Sequence, residues 1–597
     1  MAPHMQHVRD LIPLPQTPIQ TLVATLAGIG ASAWLIKLIV RHILLRSPAK
    51  RSSHGSSSSP PGPTFEAMSA KRKKELLERP AIIVGGGLAG LVAAFELAER
   101  GVPTIILDQE NDKNLGGQAF WSLGGIFCVD SKEQRRMGIK DSRELAMRDW
   151  FGSAQFDREK EDTWPRRWAE AFVNFATDEM EDYVKARGMG FLFNVGWAER
   201  GAGMAEGHGN SVPRFHVTWG TGPEVVRVFA EPVKRAADNG VIQFRFRHRV
   251  DEIITDENGR AVGVRGKVLA ADDSPRGVKS NRDIAGDFEI YGSAVAAAWP
   301  VDRLGPKVPE TFVVGVPAHV DGRMIGITEA AGANVINRDR MWHYTEGLQN
   351  WNPIWPDHGI RRLPPFLFPG TDTLGTLKHI CATGYDYTWF ILDQSIIARE
   401  FALSGSEQNP DVTGKSMWQL LTRVFGKKGT VPVQNFQKHG KDFVVRSNLE
   451  DLVQGMNELQ RERGGPVLSL EDIRETIELR DGQFDNAYSK DAQAMLINNG
   501  RTYWADRRSR IAPPHKLLDP KHGPLIAVRM NLLTRKTLGG IETNLESNVM
   551  RADGAKFPGF LEGTFLGGCI FSGRAAGRGI ADELLGPAEA KGPKSFL

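Results

Sequence analysis

Cysteine is scarce in this chain: Cys128, Cys381 and Cys569 are the only three in 597 residues, and they stand far apart. That excludes a disulfide scaffold and a multi-cysteine metal cluster, suits a reducing compartment, and leaves no metal expected. An excess of one charge is lacking too. The 75 basic side chains nearly balance the 71 acidic ones, and the net charge of +4 is too small to argue for a nucleic-acid partner. Tyrosine is rare, with 7 in the chain. Yet 41% hydrophobic and 24% charged residues exclude a disordered protein, and the length predicts two or more domains.

Long apolar runs are also absent, with one exception near the start. "TLVATLAGIGASAWLI", residues 21–36, carries no charge, and apolar character continues past Lys37 to Leu45. Lys37 and Arg41 can snorkel, Trp34 favours an interface, and the basic residues gather on the C-terminal side. These features predict a membrane anchor over 18–45 with the body of the chain in the cytosol, the endoplasmic reticulum membrane being favoured and a mitochondrial location the alternative. Residues 1–17 are read as a tail. The stretch 46–78 is a linker that begins with Ser, Pro and Gly and ends in a short basic helix, Lys71 to Arg79.

The most informative stretch is "AIIVGGGLAGLVAAFELAERGVPTIILDQE", residues 81–110. An apolar β-branched strand runs into Gly85-x-Gly87-x-x-Gly90, a helical period follows, and a second strand closes on Asp108. Gly85 permits a tight turn, Gly87 lets backbone approach a pyrophosphate, and Gly90 brings helix against strand. Leu88 and Ala89 begin the helix, whose free N–H groups attract phosphate. Asp108, followed by Gln109, lies where a carboxylate meets a ribose hydroxyl. Beyond it, "NLGGQAFWSLGGIF" (114–127) supplies Gly116, Gly117, Gln118, Ser122, Gly124 and Gly125, glycine pairs that let backbone pass close to a flat ligand. "VIQFRFRHRVDEIITDENGRAVGVRG" (241–266) reads as a β-hairpin turning at Asp256–Gly259. "GTFLGGCIFSGRAAGRGIADELLG" (563–586) opens a final helix.

This order, with "GNSVPRFHVTWGTGP", "HVDGRMIGITEAAGA" and "LEGTFLGGCIFSGRAAGR", resembles the FAD-binding dehydrogenases of the fumarate reductase and 3-ketosteroid dehydrogenase superfamily over residues 79–587. The resemblance implies an α/β flavoprotein, a Rossmann-like FAD-binding domain with an inserted α+β cap. The FAD-binding parts would be 79–300 and 521–588, the cap 301–520, and 589–597 a tail. It also implies that Gly85, Gly87, Gly90 and Asp108 hold the ADP half, Gly116 and Gly117 pass beneath the pyrophosphate, and backbone near Val250 borders the adenine. Gly567, Gly568 and Cys569, opening the last helix, would face the flavin's negative N1–O2 edge.

Three departures from the family pattern stand out. The glycine turn expected after the hairpin is replaced by "AAAWPVDRLG" (296–305). A longer connection is missing near "HGIRRLPPFLFPG" (358–370), and an acid-bearing motif is missing between "KFPGF" (556–560) and "LEGTFLGG". The tyrosines used by steroid Δ1-dehydrogenases are also absent. Ile126-Phe127-Cys128 and Leu525-Ile526 stand in their places.

Hydride transfer between flavin N5 and a CH–CH or C=C bond beside a carbonyl needs a proton-transfer group and an electrophile. The candidates are His343 and Tyr344 of "RMWHYTEG", Tyr503 of "NGRTYWADRRSR", and Arg529 as a carboxylate or carbonyl clamp. His216 reads equally well as a base and as a structural histidine. The expected partner is a small molecule, hydrophobic or steroid-like given the anchor, and the electron acceptor stays open. The competing reading is a flavoprotein-fold binding protein without catalysis.

Overall fold

The computed structural model describes residues 63–154, 156–199, 209–292, 313–314, 322–338, 340–348, 373–383, 387–401, 403–461, 467–561 and 566–587. The anchor expected at 18–45, the first two departures at 296–305 and 358–370, and residues 562–565 lie outside them. Among the described residues no helix is long and apolar enough to cross a membrane.

The basic helix predicted before the first strand spans Ala70–Glu78; the Ser69 hydroxyl accepts from the Arg72 N–H, and Leu76 is its buried residue. β1 (Ala81–Val84), the helix Leu88–Glu99 and β2 (Thr104–Asp108) follow as expected, with β1 parallel to β2 in the register Ala81↔Thr104. β3 (Gly125–Phe127), β4 (Phe191–Gly196) and β5 (Phe215–Thr218) form a small antiparallel sheet with β5 in the middle. Helix Thr221–Asp238 then leads to β6 (Ile242–Phe246), which pairs parallel with β2 and completes the order β1-β2-β6.

The predicted hairpin is β7 (His248–Thr255) with β8 (Ala261–Leu269); Gly259 in its turn has φ +69°, and β9 (Ile284–Tyr291) adds a third strand. Residues 242–246 do not belong to it, which corrects the hairpin's expected start. Arg247, between β6 and β7, has φ +61°, and its guanidinium donates to the carbonyls of Gln109 and Ala270 at 2.9 and 3.0 Å. That left-handed residue breaks the extended run and sends β6 into the parallel layer.

The parallel layer is buried on both faces, and the pleat sorts its side chains. Ala81, Ile83 and Ile106 face a core shared with the helices Leu88–Glu99 and Thr221–Asp238. Ile82, Ile105 and Leu107 face a second core with Val250, Ile253 and Val264 of the meander and Ile325 of the helix Arg323–Ala330.

A separate sheet gathers strands from the region expected to form the cap, and is named the cap sheet after it. Its strands are β10 (Val313–Val314), then, after β11 (Val335–Ile336), β12 (Met341–Gly347), β13 (Tyr387–Asp393), β14 (Phe443–Arg446) and β15 (Leu525–Thr537). β15 is central: it pairs parallel with β10 and antiparallel with β12, β13 and β14. Residues 525–537, expected in the second FAD-binding part, pair here with strands of the region expected as the cap. Their run of apolar residues is buried by strands far away in sequence, which local patterning does not reveal. β16 (Gly540–Ile541) pairs with β11, and β17 (Asn548–Met550) with β18 (Lys556–Leu561).

Helix Leu566–Leu585 closes the fold against helix Leu88–Glu99. A Cβ on Gly573 would lie 2.6 Å from the Ala89 carbonyl, and one on Gly577 equally close to that of Ala93. The two numbers rise together, so the helices run parallel, at a spacing only glycine allows.

Candidate cofactor and active site

The turn after β1 is built around glycine. Gly85 has φ +104°, and a Cβ on Gly90 would stand 2.2 Å from the Gly85 carbonyl. Gly87 differs: a Cβ there meets nothing within 4 Å, so backbone faces open space. Gly116, at φ +95°, donates its N–H to the Gly86 carbonyl at 2.8 Å, and Gly87 and Gly116 form a parallel bridge. A Cβ on Gly117 would lie 3.5 Å from the Gly87 Cα. Gly85, Gly87, Gly90, Gly116 and Gly117 thus form one cradle. At its edge the first turn of helix Leu88–Glu99, with Leu88 and Ala89, presents N–H groups that have no acceptor within the helix.

Asp108 is fixed beside this cradle. One carboxylate oxygen accepts from Gly86 N–H at 2.7 Å and the other from Glu110 N–H at 2.8 Å. These bonds hold an acceptor-only carboxylate at the end of β2, a group that suits a hydroxyl donor such as a ribose. The Gln109 carbonyl is held by Arg247, and Val250 is buried against Leu107 and Ile105 in the second core. Gln118 lies in the short helix Gly117–Trp121. Ser122 Oγ donates to the Ala119 carbonyl at 2.8 Å and accepts from Gly124 N–H at 3.2 Å. Gly124 and Gly125 serve close packing within the protein, since a Cβ would strike the Thr221 backbone at 2.7 Å or the Phe215 ring at 1.8 Å.

The terminal helix brings a second N-terminus to the same end of the molecule. With Gly573 beside Ala89, its first turn, containing Gly567, Gly568 and Cys569, projects past the start of helix Leu88–Glu99. The cradle, the open space at Gly87 and the unbonded first-turn N–H groups of helix Leu88–Glu99 fit the pyrophosphate of a dinucleotide. At the far ends of these helices Glu96 is 7% exposed. It accepts from the Tyr183 hydroxyl at 2.6 Å and from Arg578 Nε at 2.8 Å. Burial would raise its pKa, but Arg578 and Tyr183 more than reverse that and hold it below the ordinary value. Arg247, Gly573, Gly577 and the Glu96 network were not singled out from sequence. Only the four-residue spacing of Gly573 and Gly577 offered a readable signal.

The candidate catalytic side chains divide. His343 and Tyr344 lie on β12 opposite Thr534 and Leu533 of β15, His343 buried and Tyr344 half-buried. Arg529 belongs to the same sheet and is 1% exposed. Its Nε donates to Asp442 at 2.7 Å, Nη1 donates to the Leu459 carbonyl at 3.2 Å, and the guanidinium lies 5.3 Å from the Tyr387 ring. Tyr503 sits elsewhere, packed on Ile139, Val195 and Val212. Burial and the nearby Asp141 carboxylate raise its pKa. The structure therefore gathers three of the four on one sheet. His216 is fully buried, bonded to Ser131 Oγ at 2.7 Å and the Arg214 carbonyl at 2.8 Å. Burial lowers its pKa, and with both ring nitrogens bonded inside the protein it is placed for packing and hydrogen bonding. Burial pushes the Cys128 thiol far up and makes it inert.

Comparison with known proteins adds three findings. The family model described as the FAD binding domain matches residues 81–560. A KsdD-like steroid dehydrogenase of Mycobacterium tuberculosis is 51% identical, over 85% of this chain and 97% of its own length. That match runs over 558 residues, more than the 85% of this 597-residue chain it takes in, so the relative has stretches with no counterpart here. Among solved structures, the 3-ketosteroid Δ1-dehydrogenase of Sterolibacterium denitrificans, in complex with 1,4-androstadiene-3,17-dione, superposes with a TM-score of 0.54 at 14% identity. It covers 85% of this chain and 99% of that one. The 3-ketosteroid-Δ4-(5α)-dehydrogenase of Rhodococcus jostii, in complex with 4-androstene-3,17-dione, gives 0.53 at 16%, covering 86% and 99%. These two likenesses show the fold.

Proposed function

We propose, for a chain that belongs to the FAD binding domain family, that its substrate is a steroid-like ketone dehydrogenated at a CH–CH bond beside the carbonyl. The chain is an FAD-dependent oxidoreductase of the CH–CH class, and the comparisons favour this over a non-catalytic binding protein. The substrate class rests on one observation: half the residues are identical to a steroid dehydrogenase-like relative across nearly all of that relative.

Bound FAD supplies the two-electron acceptor for the hydride. The chain's own residues hold it through the cradle of Gly85, Gly87, Gly116 and Gly117 and through Asp108. The proton is assigned to the cap, where Tyr344 and His343 of β12 are the candidates and Tyr503 the alternative. Arg529 acts as a positioning residue, locking β15 to Asp442. The N-terminal run 18–45 is read as an anchor that keeps a cytosolic body near lipid-soluble substrates. Extraction of membranes at alkaline pH tests it, since release of the chain into the soluble fraction would remove the anchor.

The substrate reading is tested by loading the protein with FAD and adding 4-androstene-3,17-dione without oxygen. Loss of the flavin's visible absorbance, with a product two hydrogens lighter, is the expected result. A flavin-loaded protein that is not bleached by this or other 3-ketosteroids would sink the reading.

A further inference from the structure

Away from the glycine cradle, the helix Trp504–Ser509 and its flanks bring four guanidinium groups around one cavity of about 310 Å³. They are Arg399, Arg501, Arg507 and Arg508, with Pro513 completing the wall. Two are braced by backbone. Arg399 Nη1 donates to the Arg508 carbonyl, and Arg501 Nη1 donates to the carbonyls of Ile511 at 2.5 Å and Arg507 at 3.5 Å. Each guanidinium carries five N–H donors, so most stay available. None of the four makes an ion pair with a carboxylate among the described residues. The neighbouring acid, Glu400, accepts from the Ala512 N–H at 2.7 Å. Burial, and then the like charges of Arg507 and Arg399, hold the Arg501 guanidinium below its ordinary range.

Four like charges in one concavity repel, and a fold that braces them there is suited to an anion. We propose that this cavity binds the phosphate group of a small molecule. Guanidinium forks match phosphate oxygens two at a time, and a doubly charged tetrahedral group offers more charge and more acceptor oxygens to surrounding arginines than a single carboxylate does. The volume lies at the small end of ligand cavities, about 300 Å³, and suits a pyrophosphate-sized group. This site is independent of the steroid reading, because none of its residues belongs to the cradle or to the catalytic candidates.

The test is calorimetric titration of the full, FAD-loaded chain with inorganic pyrophosphate at low ionic strength, so that the dinucleotide cradle is already filled. Saturable binding at one site per chain is expected, weakening as salt is added. The double variant Arg507→Gln, Arg508→Gln, both exposed, should weaken it by about tenfold or more. Arg399→Gln, on the facing helix Gln394–Glu400, tests the opposite wall with the same expectation. Arg235→Gln, an exposed arginine of helix Thr221–Asp238, should leave it unchanged. Absence of saturable heat overturns the proposal. So does equal affinity in the double variant, or an equal loss in Arg235→Gln.

Discussion

Gly87 and Gly90 stand three residues apart in one turn, yet different things constrain them. A methyl on Gly87 meets nothing within 4 Å, and with φ −72° any residue can adopt its backbone. A methyl on Gly90 collides with the Gly85 carbonyl at 2.2 Å. Gly87→Ala should therefore leave the flavin-free protein within about 0.5 kcal/mol of its normal stability, while weakening FAD binding by about tenfold or more. Gly90→Ala should cost about 1–3 kcal/mol of stability before any cofactor is added. Thermal melts of flavin-free protein beside FAD titrations separate the two; the reverse pattern would move the pyrophosphate elsewhere. The motif already gives Gly87 to the pyrophosphate and Gly90 to helix–strand packing, and the contact distances bear out that division. Arg529 teaches the opposite lesson. As a sequence letter it is a candidate clamp, but buried against Asp442, which also accepts from Asn531 at 3.2 Å, it holds the cap sheet together. Arg529→Met should cost about 3–5 kcal/mol by leaving Asp442 buried without its partner, and adding Asp442→Leu should recover much of that. Denaturant unfolding reads this out. A stable Arg529→Met protein with only a raised KM would restore the clamp.

Elements were legible where their signal is local. β1, the helix after it, β2 and the β7–β8 hairpin each announce themselves within some thirty residues. β6 did not, because one left-handed residue, Arg247, redirects an otherwise continuous strand pattern, and tertiary bonds to Gln109 and Ala270 enforce that conformation. The terminal helix was readable, but not its parallel seating on Leu88–Glu99. That seating makes the Glu96–Arg578–Tyr183 network sensitive to acid. Glu96 has its pKa lowered in the folded state from an ordinary 4.5. A depressed carboxylate contributes stability that is fully present above the unfolded value and is lost as pH falls through the folded one. Stability should thus be flat through neutral pH and decline once the pH drops below about 4.5. Glu96→Gln should lower stability near pH 7 and flatten this acid limb. Circular dichroism melts from pH 7 to pH 3 measure it; an unchanged acid limb would mean that Arg578 and Tyr183 do not hold the charged form.

At the scale of the whole molecule, the stretch 341–537 begins and ends at one bonded pair, and it also packs back on the rest of the chain through Tyr503 and the Thr221–Thr413 hydroxyl pair at 2.7 Å. Leu538 N–H donates to the Arg340 carbonyl at 2.7 Å, so the chain leaves toward the cap and returns from it at adjacent points. Arg340 also donates to both oxygens of the buried Asp162, at 3.0 and 3.1 Å, and Asn337 reaches the same carboxylate at 3.0 Å. The bonded pair is thereby clamped to the helix Thr163–Asp178 at its start. Below it, Ile325, Ala333 and Val335 belong to the core under the parallel layer; above it, β15 gathers the cap strands. Placing the boundary at the bonded pair 340 and 538 makes a prediction that the sequence boundary at 301 and 520 does not. Replacing residues 341–537 with a short Gly-Ser linker should leave a soluble protein that still binds FAD through the cradle, more weakly for want of the cap. Removing 301–520 instead should strip Ile325, Ala333 and Val335 from the core and strand the apolar face of β15, giving an aggregate. Gel filtration with flavin absorbance distinguishes the two deletions. A soluble, flavin-binding product from the second and an aggregate from the first would put β15 back with the cofactor layer, and the cap's central strand would then have to be sought elsewhere.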